Sequence, residues 1–176
     1  MSPLVGLKPR VLEIVNTARD VLEEGGPEAL SMHRIAELLG IRTPSLYKHV
    51  TSKREIERLL IVDGLWEQGD VSWNALRSSP EDPIAAIAMD FRRWILAHPH
   101  LYGLIMARPL ERDEATVRAW EHGAKALRTA FGDEVMAARR LWIAALGLIS
   151  LELSGGVPYD WDVEEMWLDI IDSARP

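Results

Sequence analysis

Apolar residues recur every three or four positions along almost the whole chain, which is the period of an amphipathic helix. Val11, Ile14, Val15, Ala18, Val21 and Leu22 predict a first helix, and Gly25-Gly26 ends it. Ser31 is suited to cap a short second helix carrying Ile35, Leu38 and Leu39. Gly40 is its stop, because glycine accepts the left-handed conformation that closes helices. Thr43-Pro44 opens a third helix, with threonine as cap and proline at the first helical position, where its missing N–H costs nothing. Ser52-Lys53-Arg54-Glu55 has the form of a capping box for a fourth helix running toward Trp66.

The stretch from Gly69 to Pro83 is rich in turn formers and reads as a connector. Beyond it the pattern predicts helices over Pro83–Ala97, His100–Ala107, Arg112–Ala130, Glu134–Leu153 and Val163–Ile171. No strand-like alternation, repeat or low-complexity tract interrupts them. The expected fold is all-α.

Composition narrows the chemistry. With 48% hydrophobic residues in 176, the chain can build a core. The absence of cysteine excludes disulfides and thiolate metal sites. The first nine residues hold no apolar segment of signal-peptide length. Trp142–Leu151 comes nearest to a membrane span and is bounded by Arg139, Arg140 and Glu152. The expectation is a cytoplasmic protein with no membrane partner. The net charge of −7 argues against a nucleic-acid partner until its distribution is considered. Up to Arg58 there are 9 Lys/Arg against 8 Asp/Glu, and beyond it 11 against 19. The acid is concentrated in the C-terminal part.

Leu30 to Lys53 carries the most specific signal. Two short amphipathic helices joined by a tight turn at Gly40 make a helix-turn-helix. Ile35, Ala36 and Leu39 face inward on the first helix, and Leu46 and Val50 on the second. That leaves Arg42, Thr43, Ser45, Tyr47, Lys48 and His49 on or near the outer side, donors suited to phosphates and base edges. No acidic residue falls between Gly40 and Lys53 in a chain with 27 acids.

These residues also carry a resemblance. The segment ALSMHRIAELLGIRTPSLYKHVTSKREI, residues 29–56, resembles the DNA-binding head of the TetR family of bacterial repressors. LWIAALGLISLELSGG, residues 141–156, resembles a C-terminal helix of the WHG-type subset, with Leu146-Gly147 standing where that subset often has His-Gly. The resemblance implies a head over 1–55 and a larger helical effector-binding and dimerisation body over 56–176. It implies that Ser31 and His33 lie near a phosphate, that Thr43, Pro44, Ser45 and Lys48 face bases or the groove wall, and that Tyr47 and His49 contact the backbone. Lys53 then meets a phosphate at the start of the fourth helix. Double-stranded palindromic operator DNA and a second copy of the chain are the implied partners.

In the body, His98, His100 and His122 lack a tight i,i+4 partner pattern, so no metal is expected, and no cofactor. An enzyme would need a nucleophile with its base or paired carboxylates in a pocket, and no such spacing is seen. No catalytic residue is assigned. Two apolar stripes suggest the dimer seam: Leu141, Trp142, Ala145 and Ile149 on one helix, and Met166, Trp167 and Ile170 on the next. Trp94, Tyr102, Met106 and Trp120 suggest a cavity for a small apolar or aromatic effector. A dimeric repressor that senses nothing and, further off, a helical enzyme are the alternatives.

Overall fold

A computed structural model describes residues 4–107, 109–132 and 134–175. The described residues form nine helices and no strand: α1 (Pro9–Ala29), α2 (Met32–Leu38), α3 (Thr43–Leu46), α4 (Lys53–Ser78), α5 (Pro83–Ala97), α6 (Pro99–Met106), α7 (Glu114–Ala130), α8 (Val135–Ser154) and α9 (Val163–Ala174). None is long and apolar enough to cross a membrane.

The chain divides into two compact units. The first comprises Met1–Glu67 and His98–Trp120, the second Gln68–Ala97 and Glu121–Pro176. Helices α4 and α7 contribute to both.

In the first unit the apolar stripe of α1 is buried as its spacing requires, with Ile14, Ala18 and Leu22 fully inside. Non-helical backbone at Gly26 interrupts α1, and the His100 ring lies 3.3 Å from where a Cβ at Gly26 would stand. Leu30, Ile35, Leu46, Val50, Ile56 and Leu60 close the core around the short helices. Charges join α1 to α4: Arg19 meets Glu67 at 2.6 Å and Asp63 at 3.4 Å. Burial pushes the Asp63 carboxyl above the ordinary aspartate range, against the pull of Arg19. His98 sits with Nδ1 3.3 Å from Glu23 and Nε2 3.8 Å from Glu67. Among the described residues no three His, Asp or Glu side chains converge as a metal site would need.

In the second unit α5, α8 and α9 pack on one another around Ile87, Leu141, Ala145, Ile149, Trp167 and Ile171. A part-buried charge network fastens these three helices. Arg92 of α5 donates from Nε (3.0 Å) and Nη2 (2.7 Å) to one carboxylate oxygen of Glu152 on α8, and from Nη1 (2.6 Å) to Glu164 on α9. The Trp167 indole N–H donates to the other Glu152 oxygen at 2.7 Å. Its ring centroid lies 5.5 Å from the guanidinium carbon, within cation–π reach.

The connector expected over Gly69–Pro83 is largely helical instead, since α4 continues to Ser78. Gly69 is not a turn glycine. A Cβ there would stand 2.5 Å from the His122 ring and 2.9 Å from the Gly123 nitrogen, so its role is close approach of α4 to α7. Ser72 is buried, donating to the Gln68 carbonyl and accepting from the Gln68 amide, both at 3.1 Å. Trp73 donates its indole N–H to the His122 carbonyl at 3.0 Å, and the His122 ring meets Asp70 at 2.7 Å. Polar residues that look like loop formers are here the satisfied contacts of a helix crossing.

Candidate nucleic-acid interface

The site is built from α2, the turn after it and α3. Ser31, in extended backbone, caps α2 by accepting the Arg34 N–H at 3.1 Å. At the far end Gly40 has φ +64. Its N–H reaches the Glu37 carbonyl at 3.0 Å, and the Ile41 N–H reaches that of Ala36 at 3.0 Å. These two bonds form a Schellman motif, which explains why glycine stands there. The next helix is capped one residue earlier than expected. Arg42, extended at ψ 141, is the N-cap, and Thr43 and Pro44 are already helical. The Arg42 carbonyl accepts the Ser45 N–H at 2.8 Å, and no side-chain cap is made. α3 is a single turn, continued by turn bonds from Lys48 to Ser45 and from His49 and Val50 to Leu46.

This geometry sorts the side chains. Leu46 and Val50 are buried against Ile35 and Ala36, the fixed inner face. Arg42, Pro44, Lys48 and His49 are exposed, as are His33 at the start of α2 and Tyr47, 51% exposed. Ser31, Thr43 and Ser45 are half-buried beside them. An exposed tyrosine with no core to cover is available for contact. Glu37, on α2, accepts a hydrogen bond from Arg34 at 2.8 Å, which holds its carboxyl below the ordinary range.

The start of α4 completes the site. Ser52 accepts the Glu55 N–H at 3.2 Å, while the Glu55 carboxylate bonds the N–H and hydroxyl of Thr51 rather than of Ser52. Lys53 is half-buried, its ammonium 3.4 Å from the Pro27 carbonyl and 3.7 Å from Glu57.

Against this geometry stand the similarities to known proteins. Residues 14–58 match the family model described as bacterial regulatory proteins, tetR family. Residues 84–174 match that of the tetracyclin repressor-like C-terminal domain. The chain belongs to the TetR family. It is a transcriptional regulator with a helix-turn-helix DNA-binding domain. An uncharacterized HTH-type transcriptional regulator of Mycobacterium tuberculosis is 26% identical over 169 residues, 90% of this chain and 76% of that protein. The tetracycline repressor protein class D of Escherichia coli is 34% identical over 85 residues, 48% of this chain and 39% of the repressor. The crystal structure of a TetR transcriptional regulator from Rhodococcus sp. RHA1 superimposes with a TM-score of 0.67 at 18% identity, covering 94% of this chain and 93% of that one.

The body residues of this TetR-family chain are placed less evenly. Of the effector-cavity candidates, Trp94 is buried in the second unit and Tyr102 in the first, while Met106 and Trp120 are exposed. Burial raises the Tyr102 phenol above its ordinary value, which keeps the hydroxyl neutral. Of the seam candidates, Trp142 is exposed, and Met166 and Ile170 are half-buried. Leu141, Ala145 and Ile149 of α8 and Trp167 of α9 are core of their own unit, where α5, α8 and α9 of the same chain pack on one another.

Sequence reasoning missed one feature near the head. Arg54 pairs with Glu111 at 2.7 Å and Arg58 with Asp113 at 3.4 Å, beside a cleft also lined by Glu57, Ile61 and Leu110. The partners are 57 and 55 residues apart, so no local signal announces them.

Proposed function

We propose that this chain is a homodimeric repressor that holds a palindromic operator through its helix-turn-helix and leaves it on binding a small, mainly apolar or aromatic effector. The observation that carries the DNA reading is the outer side of α3. Arg42, Pro44, Tyr47, Lys48 and His49 stand exposed on α3 and its flanking turn, in a segment without a single acid whose inner side is locked by buried Leu46 and Val50. Such a face offers donors to a polyanion at no cost to the core. In this reading Thr43, Pro44, Ser45 and Lys48 meet bases or the groove wall, Ser31, His33, Arg42, Tyr47 and His49 serve the backbone, and Lys53 exchanges the Pro27 carbonyl for a phosphate. One such helix reads only a few base pairs, so a two-fold dimer built on α8 and α9 supplies the second half-site, about 34 Å or a multiple away.

Repression and effector release are supported by the kinship with the tetracycline repressor, whose name states both a ligand and a role. Buried Tyr102, neutral and surrounded in α6 by buried Leu101, Leu104 and Ile105, is the polar group such a molecule would meet in the first unit.

Selection from random duplexes tests the DNA reading and should return an inverted repeat. Lys48→Ala should then weaken operator binding, by about 1–3 kcal/mol if a base contact is lost, while melting stays unchanged. Recovery of no enriched sequence would falsify it. A panel of aromatic compounds, followed by operator release and thermal shift together, tests the effector.

A further inference from the structure

Lys53, Arg54 and Arg58, the cations of the first two turns of α4, are each paired with an acid. Lys53 lies 3.7 Å from Glu57 of the same helix. Arg54 donates from Nε (3.0 Å) and Nη2 (2.7 Å) to one Glu111 oxygen, and Arg58 meets Asp113 at 3.4 Å. Among the described residues Arg42 and Lys48, beside α3, have no acidic partner. Glu111 and Asp113 belong to the linker between α6 and α7, and Pro109 and Leu110 of that linker share a cleft with Ile61 of α4. The linker thus carries acid from the C-terminal part to the end of the head. Its two pairs differ. Asp113 is also engaged by Ala115 and Thr116 at the start of α7. The Arg54 side chain is 70% exposed and that of Glu111 41%. An ion pair so exposed is worth little and can exchange partners.

We propose that Arg54 is a further contact to the DNA backbone and that Glu111 holds it back. In the free chain the carboxylate occupies the guanidinium, and a phosphate displaces it when a duplex binds. The two partners are interchangeable in kind, because both offer anionic oxygens to the same fork of N–H donors. Arg54 directly follows Lys53, which the DNA reading sets at a phosphate, and its side chain is the more exposed of the two. Arg58 stands one turn further along α4, and its partner is tied into α7, so it stays with Asp113. A contact that must first be broken lowers affinity for every sequence alike, since phosphates carry no sequence information. The linker therefore sets how tightly the head holds DNA, while α3 keeps the choice of sequence. This inference rests on the reading of α3 and Lys53 as DNA contacts.

Fluorescence anisotropy of the full chain over a salt series tests this, with two labelled duplexes, one of random sequence and one carrying the inverted repeat recovered by selection. Arg54→Ala should lower the salt slope by about one unit on both. Glu111→Gln should tighten binding to both by about two- to fivefold, the worth of an exposed ion pair, and should do nothing in the Arg54→Ala background. Glu114→Gln removes the same charge three residues further on, where it pairs with Arg118, and should leave both affinities unchanged. A gain in affinity cannot come from a variant that folds poorly. The proposal is overturned if the wild type binds but Arg54→Ala leaves the slope unchanged, if Glu111→Gln fails to tighten binding or tightens it equally without Arg54, or if Glu114→Gln does as much. A wild type that binds neither duplex instead overturns the DNA reading beneath it.

Discussion

Gly69→Ala is a test of the α4–α7 crossing in the second unit. In an exposed helix interior, replacing glycine by alanine stabilises by about 1 kcal/mol, because the chain loses less entropy on folding. At Gly69 the added Cβ would stand 2.5 Å from His122 Cδ2 and 2.9 Å from the backbone nitrogen of Gly123. The ring can turn aside only by loosening its 2.7 Å contact with Asp70, and the backbone can yield only if α7 moves. Overpacking of this kind costs about 1–3 kcal/mol. Because the 2.9 Å neighbour is backbone and cannot swing aside, the clash falls in the upper part of that range, about 2–3 kcal/mol, and set against the propensity gain it leaves a net loss of about 1–2 kcal/mol, or a melting temperature lower by roughly 2–8 °C for a chain of this size. Gly103→Ala is the control, since its Cβ would meet nothing within 4 Å in the middle of α6. It should raise the melting temperature by about 2–4 °C. Thermal unfolding of both variants at one protomer concentration gives the comparison. If Gly69→Ala melts at or above the wild type, α4 and α7 do not approach as described, and the stretch after Gly69 is closer to the connector that its composition suggests.

Arg92→Ala leaves the part-buried Glu152 carboxylate with the Trp167 indole but without its cation and should cost about 1–3 kcal/mol in urea unfolding; a loss below about 0.5 kcal/mol would show the network to be incidental. Asp113 holds the N-terminus of α7, accepting from Ala115 N–H and from the N–H and hydroxyl of Thr116 and pairing with Arg58. Although burial pushes its carboxyl up, those bonds and Arg58 prevail and hold it below the ordinary aspartate value of 3.8. Its stabilisation is therefore fully present above about pH 4 and lost as pH falls through the folded value. Asp113→Asn should lower stability at pH 7 and flatten the acid limb of a stability–pH curve, and an unchanged limb would remove Asp113 from the account.

What the sequence determined by itself is what a few consecutive residues can settle. The Gly40 stop, the Ser31 cap, the Pro83 start of α5 and the inward set of Leu46 and Val50 each depend on backbone bonds closed within about one helical turn, or on apolar spacing within one helix. The helix-turn-helix was legible for that reason, and the acid-free stretch from Ile41 to Ser52 could be read directly. Tertiary structure decided the rest. Glycine and serine after Gln68 favour turns locally, but Gly69 and Ser72 are held in α4 by a helix crossing that only the folded chain creates. Periodicity showed that α8 has an apolar side without showing against what, so Leu141, Ala145 and Ile149 suited a seam between chains as well as a core. The folded chain assigns them to the core and leaves Met136 and Ile143 outside. Arg92 and Glu152 stand 60 residues apart, and nothing in either segment marks the other as its partner. Local bonds are encoded where they form, whereas packing partners are fixed by which surfaces remain once every helix has formed.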